Sequence, residues 1–170
     1  LRSYDVARFR DSLSVDDAAA YEVQWTEVHT SSADPVSGEI VALGRFPLTG
    51  ARERYSDLDG LITSGGTPPE IVVWSAATVF DDDSVPATVR SGDVAAVTHD
   101  RVRSALRTLQ AWLDHDALES SRLVVITHNA VGMPGESPDL AAAAVWGLMR
   151  SAQTEYPDRI VLLDWQASPD

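Results

Sequence analysis

Carbonyl reduction on a nucleotide-binding sheet takes a tyrosine that donates a proton. It also takes a lysine that lowers the tyrosine pKa and holds the cofactor ribose. This chain of 170 residues has four tyrosines, Tyr4, Tyr21, Tyr55 and Tyr156, but its 13 basic side chains are all arginine. Arginine keeps its charge and cannot shed a proton, so it cannot stand in for the lysine. The four histidines are His29, His99, His115 and His128. His128 and Asn129 follow a predicted strand, at the sheet end where a base or proton shuttle is useful. No serine or aspartate beside them completes a triad that sequence can show. No H-x-x-x-H or H-E-x-x-H is present, so no zinc site is expected. Asp81, Asp82 and Asp83 share only composition with a cation loop; the calcium spacing is missing.

Phosphate chemistry fares no better. No strand runs into G-x-G-x-x-G. The loop His128–Ser137 joins a strand to a helix, which are the right flanks for a dinucleotide. Its glycines, however, do not form a tight turn directly after the strand, and Glu136 would repel phosphate. Gly65 and Gly66 precede a strand and read as a helix stop. The sequence therefore nominates no catalytic, cofactor-binding or metal-binding residue.

The elements that would position such groups are clearer. Residues 1–20 read as a linker or N-terminal arm, with a helical stretch near Val6–Leu13. Tyr21–Val28 alternates apolar and polar residues, the period of a half-buried strand. His29–Gly38 is loop. Glu39–Gly44, Ile71–Trp74, Leu123–Thr127 and Ile160–Asp164 are short apolar runs of the kind buried parallel strands show. A helix is predicted over Tyr55–Ser64. A longer one spans Asp93–Ala117, with Val97, Ala105, Leu109 and Trp112 on its apolar stripe and Arg101, Arg103 and Arg107 on other faces. Phe80–Ser91 is loop. A third helix runs from Pro138 to Tyr156, with Ser137 as N-cap and Asp139 near the positive end of the dipole. Ala141–Ala144 and Gly147 make it thin on one side, so something can pack close to it. The five tryptophans, Trp25, Trp74, Trp112, Trp146 and Trp165, fall in strands or helices and should mostly be core. Strands alternating with helices predict an α/β fold: a truncated Rossmann-like, doubly wound, mainly parallel sheet with flanking helices.

Composition narrows the partners. A net charge of −13 argues against nucleic acid and anionic membrane surfaces. The absence of cysteine excludes disulfides and fits a cytoplasmic setting. No apolar run approaches the roughly 20 residues of a membrane span.

The carboxyl-terminal third carries a resemblance. LVVITHNAVG followed by PDLAAAAVWGLMRSAQTEYPDRIVLLD is similar to the structural subdomain of ketoreductases in modular (type I) polyketide synthases. The matching helix residues are Asp139, Leu140, Ala141, Val145, Trp146, Gly147, Leu148, Arg150, Ser151, Ala152, Gln153, Glu155 and Pro157; Asp164 matches the strand that follows. YEVQWTEV resembles that family's opening strand, so the likeness covers residues 21–168, with 169–170 starting a linker. The resemblance implies two Rossmann-like halves. The first binds no cofactor, is inactive alone and braces the second. The second binds NADPH and reduces β-ketoacyl chains on an acyl carrier protein. It implies a catalytic ketoreductase subdomain as direct partner in the same polypeptide, with an enoylreductase or dehydratase as possible neighbours. Trp146, Leu148 and Arg150 are the residues expected to pack against the catalytic half. Two other readings stand beside it: a stand-alone nucleotide- or acyl-binding module using His128–Ser137, and a scaffold from an inactive ketoreductase.

Overall fold

Five short strands, all parallel, are the frame of the described residues. The computed structural model describes residues 38–44, 46, 48–76, 94–132 and 137–165. The expected helix Val6–Leu13, the strand Tyr21–Val28, the loop Phe80–Ser91, Trp25, His29 and the linker at 169–170 lie outside the described residues. The strands are β1 (Ile40–Leu43), β2 (Glu53–Tyr55), β3 (Ile71–Ser75), β4 (Arg122–His128) and β5 (Ile160–Trp165). Their order across the sheet is β2-β1-β3-β4-β5. The order reverses between β1 and β3, the topological switch of a Rossmann-like sheet.

Among the described residues three α-helices connect them, α1 (Leu58–Thr63), α2 (Val94–Asp114) and α3 (Leu140–Glu155), with a single 3-10 turn at Asp116–Leu118. α1 is shorter than its pattern predicts, for a reason at each end. Tyr55 is drawn into β2, which pairs with β1. Asp57 then caps the helix by accepting from the Gly60 amide at 2.8 Å. At the other end Gly65 takes a φ of +64°, the left-handed turn that stops a helix cheaply only at glycine. β2 was not predicted. It has three residues, two of them exposed and charged, and so carries no apolar signal.

The register explains the core. Val41, Val72, Leu123 and Ile160 form one row across the sheet, and Leu43, Trp74, Val125 and Leu162 form the next but one. Both rows belong to one cluster with Leu58 and Leu61 of α1, Ala105, Leu109 and Trp112 of α2, and Val145, Met149 and Ala152 of α3. All three described helices therefore pack on the same face. Ala42, Val73 and Ile126 alternate with these rows, face the other side and are also buried. Of the described tryptophans only Trp112 is fully enclosed. Trp74 and Trp146 are half-buried and Trp165 is exposed. No described helix is long and apolar enough to cross a membrane.

Candidate functional site at the carboxyl ends of the strands

In open α/β sheets, ligands bind where the strands end and the helices begin. Here that edge is built around two aspartates. β5 lies beside β4 with Asp164 opposite Thr127. The Thr127 hydroxyl donates to Asp164 Oδ1 at 2.7 Å. The Ala130 amide donates to the same oxygen at 3.0 Å, and the Val131 amide to Oδ2 at 2.9 Å. Two successive backbone N–H groups converging on one point form an anion-binding concavity. In this chain the anion is its own side chain.

The turn is made possible by Asn129, whose φ of +50° lies in the left-handed region that asparagine tolerates. Its amide donates to the Trp165 carbonyl at 3.1 Å, and its carbonyl accepts from the Asp139 amide at 2.7 Å. Its side-chain Nδ2 donates to the Ser137 carbonyl at 3.1 Å. One residue thus ties the end of β4 to β5 and to the start of α3.

Asp139, not Ser137, is the N-cap of α3. Its Oδ1 accepts from the Ala141 amide at 2.8 Å and the Ala142 amide at 3.0 Å. Pro138 disfavours helical backbone at Ser137, which moves the helix start past the proline. The Asp139 Oδ2 accepts from Arg101 of α2 at 3.0 Å. Burial alone would raise this carboxyl. The Ala142 amide, the Arg101 hydrogen bond and charge, and the Ala141 amide together outweigh it and hold the group below its ordinary value.

Beside this cap lies a cleft of about 270 Å3. Val94, Val97 and Arg101 of α2 form one wall, Pro138, Leu140 and Ala141 the other, and Asn129 also lines it.

The predicted residues are dispersed. His128 is half-buried, with its ring centroid 5.1 Å from that of Trp165. His99 is exposed on α2, and His115 sits beyond that helix's end. Trp146 and Leu148 are half-buried on α3, Leu148 against the core cluster, while Arg150 is exposed. Among the described residues no group of three or more His, Cys, Asp or Glu could hold a metal. Arg101 is the residue that sequence reasoning missed. Its pattern placed it on a polar face, and only the fold brings it to Asp139, 38 positions away.

A parallel sheet with this strand order and a β4 turn locked by the next strand defines a Rossmann-type domain. The sequence narrows it further: residues 23–170 match the family described as polyketide synthase extender module SpnB, Rossmann fold domain, and the chain belongs to that family. It is 36% identical over 168 residues to polyketide synthase GfsE of Streptomyces halstedii, covering 96% of this chain and 4% of that protein. It is 53% identical over 109 residues to mycoketide-CoA synthase of Mycobacterium tuberculosis, covering 61% of this chain and 2% of that protein. With the spectinabilin polyketide synthase system protein NorA of Streptomyces orinoci it shares 40% over 114 residues, 65% of this chain and 6% of that protein. The chain thus corresponds to a small part of each of these relatives.

Proposed function

We propose that this domain is the structural half of a modular polyketide synthase ketoreductase. It is inactive alone and braces a catalytic half that binds NADPH and reduces a β-ketoacyl chain held on an acyl carrier protein. One observation carries the reading. The amides of Ala130, Val131, Ala141 and Ala142, on the turn that leads from β4 into α3 and on the first turn of α3, already donate to Asp164 and Asp139. A phosphate arriving there would have to displace a carboxylate and overcome its repulsion. The missing Tyr–Lys pair agrees with this: chemistry belongs to the partner.

The bracing surface is assigned to α3. Arg150 is exposed, and Trp146 and Leu148 retain accessible surface beside the small residues Ala143, Ala144 and Gly147. A partner packing there gains roughly 25 cal/mol for each Å2 of apolar surface covered, of which only part survives as net affinity.

Two measurements test the reading. Titration of the chain with NADPH should give no saturable heat at micromolar concentrations. Co-expression with a catalytic ketoreductase half should give a soluble, active complex whose yield drops with Trp146→Ala while the chain's own fold is kept. Micromolar NADPH binding by the chain alone, or ketone turnover by it, would overturn the proposal.

A further inference from the structure

β5 ends the sheet, and among the described residues it has a neighbouring strand on one side only. On that side the Leu123 and Asn129 amides donate to the Arg159 and Trp165 carbonyls. Successive residues of a strand turn their N–H and C=O groups to opposite sides, so those of Ile160, Leu162 and Asp164 point outward. The Ile160 carbonyl accepts from Gln153 Nε2 of α3 at 3.0 Å, which covers the start of the edge. Among the described residues nothing pairs with the outward groups of Leu162 and Asp164. Sheets usually defend such an edge with lysine, proline or a bulge. Ile160–Trp165 contains neither residue, and its register with β4 runs without a bulge. Its one charge, Asp164, is turned inward to Thr127 and the Ala130 and Val131 amides. The strand also presents apolar surface. Leu163 is 51% exposed and Trp165 48%, two residues apart on the face away from the three α-helices.

Size and charge select the occupant of this edge. A second copy of the chain fits poorly. The six residues of β5 make an edge about 20 Å long, and a sheet is about 10 Å thick. Two copies joined there would cover about 400 Å2 in all, well under the ~1,000 Å2 of a specific interface. They would also bring together two net charges of −13. An extended segment of another sequence avoids both objections. Its backbone can pair with Leu162 and Asp164, and alternate side chains can lie against Leu163 and Trp165. Positive charge on the side chains between them is drawn to an acidic chain.

We propose that the outer edge of β5 docks an extended strand that carries apolar residues at alternate positions and basic residues between them. This edge is separate from the α3 surface assigned to bracing, and either assignment can fail without the other.

A capped hexapeptide of alternating arginine and valine makes the test, with two controls. One is the same peptide with every amide N-methylated, which keeps the side chains and removes the pairing donors. The other replaces arginine by glutamate. Each is titrated into the 170-residue chain and followed by chemical-shift changes at Leu162, Leu163 and Asp164. The basic peptide should bind saturably with a Kd of about 1 mM or lower and slow hydrogen exchange at the Leu162 and Asp164 amides. Both controls should bind about fivefold or more weakly. Leu163→Lys, at an exposed position, should weaken the basic peptide by a similar factor and leave the melting temperature nearly unchanged. Silence from the basic peptide, equal binding by either control, full binding by Leu163→Lys, or shifts that map away from β5 would overturn the proposal. So would a dimer of the chain in sedimentation that Leu163→Lys dissolves, because the edge would then belong to a second copy.

Discussion

The two ends of the sheet are closed by opposite charges. At the amino ends of β4 and β5, Arg159 donates from Nη2 to the Leu118 carbonyl at 3.0 Å and from Nε to the Ser121 carbonyl at 3.2 Å. Its guanidinium also lies 5.7 Å from the ring centroid of Trp112. The Ser121 hydroxyl donates to the Pro69 carbonyl at 2.6 Å, and Ser121 is 2% exposed. At the carboxyl ends, Asp164 and Asp139 accept from amides instead. The polarity follows from chain direction. Helices arrive at the amino edge with spare carbonyls, which want a cation, and leave from the carboxyl edge with spare amides, which want an anion. A sheet kept for a ligand would close the first edge and leave the second open. Here side chains of the chain itself close the second edge at β4, β5 and the start of α3 almost as thoroughly as the first. That symmetry fits the bracing role proposed above.

The largest expected effect anchors the amino end. Trp112 is fully buried, and Trp112→Ala should cost about 3–5 kcal/mol by denaturant titration, enough to threaten the fold. The sharper comparison sets Arg159→Ala against Asp164→Ala. Each removes two or three hydrogen bonds from a charged group, so each should cost about 2–3 kcal/mol. Equal losses mark both edges as structural. If Asp164→Ala instead left stability unchanged or raised it, the carboxyl edge would carry the signature of a site held for function at the expense of stability.

These contrasts also show what the sequence could reveal. Strands β1, β3 and β4 were legible because a strand buried on both faces is apolar along most of its length, as Ile71–Trp74 and Leu123–Ile126 are. β5 was legible from its apolar run although Leu163 is exposed. β2 was hidden because an exposed edge strand of three residues needs no apolar pattern. The start of α3 was misplaced by two residues, since Ser137 and Asp139 are both good caps and only the proline between them decides. Asp164 stood out as the aspartate ending a strand, but its three donors come from Thr127, Ala130 and Val131, more than 30 positions away. Such contacts are set by register, which a single sequence does not display. Arg101 was hidden for the same reason.

A smaller effect is read by acid titration and bears on Asp139. The Asp139 carboxyl is held below its ordinary value of 3.8. A group whose folded pKa is depressed contributes stability that is fully present above its unfolded pKa. That contribution is lost as pH falls from about 4 through the lowered folded value. Asp139→Asn should therefore flatten the acid limb of the stability profile below about pH 4 and leave its neutral shape unchanged. Because the Asp139 side chain is 41% exposed, solvent and salt screen the Arg101 pair, and raising the salt should narrow the difference between wild type and variant. An unchanged acid limb would mean that Arg101 and the α3 amides do not govern this carboxyl.

The smallest effect bears on the remaining face of the molecule, α3, and there two measurements should move in opposite directions. A Cβ built on Gly147 meets nothing within 4 Å. Gly147 lies in the middle of α3, where replacing glycine by alanine usually favours the helix by about 0.5–1 kcal/mol. Gly147→Ala should thus raise the melting temperature of the chain by a few degrees. A glycine that weakens its own helix has a use only if something comes close to it. If the catalytic half lies against this thin face, the same methyl group that stabilises the chain alone should loosen the complex. A variant more stable alone and weaker in association would place the partner on α3. A variant more stable in both states would keep the closed edges as they are but move the bracing surface to another part of the domain.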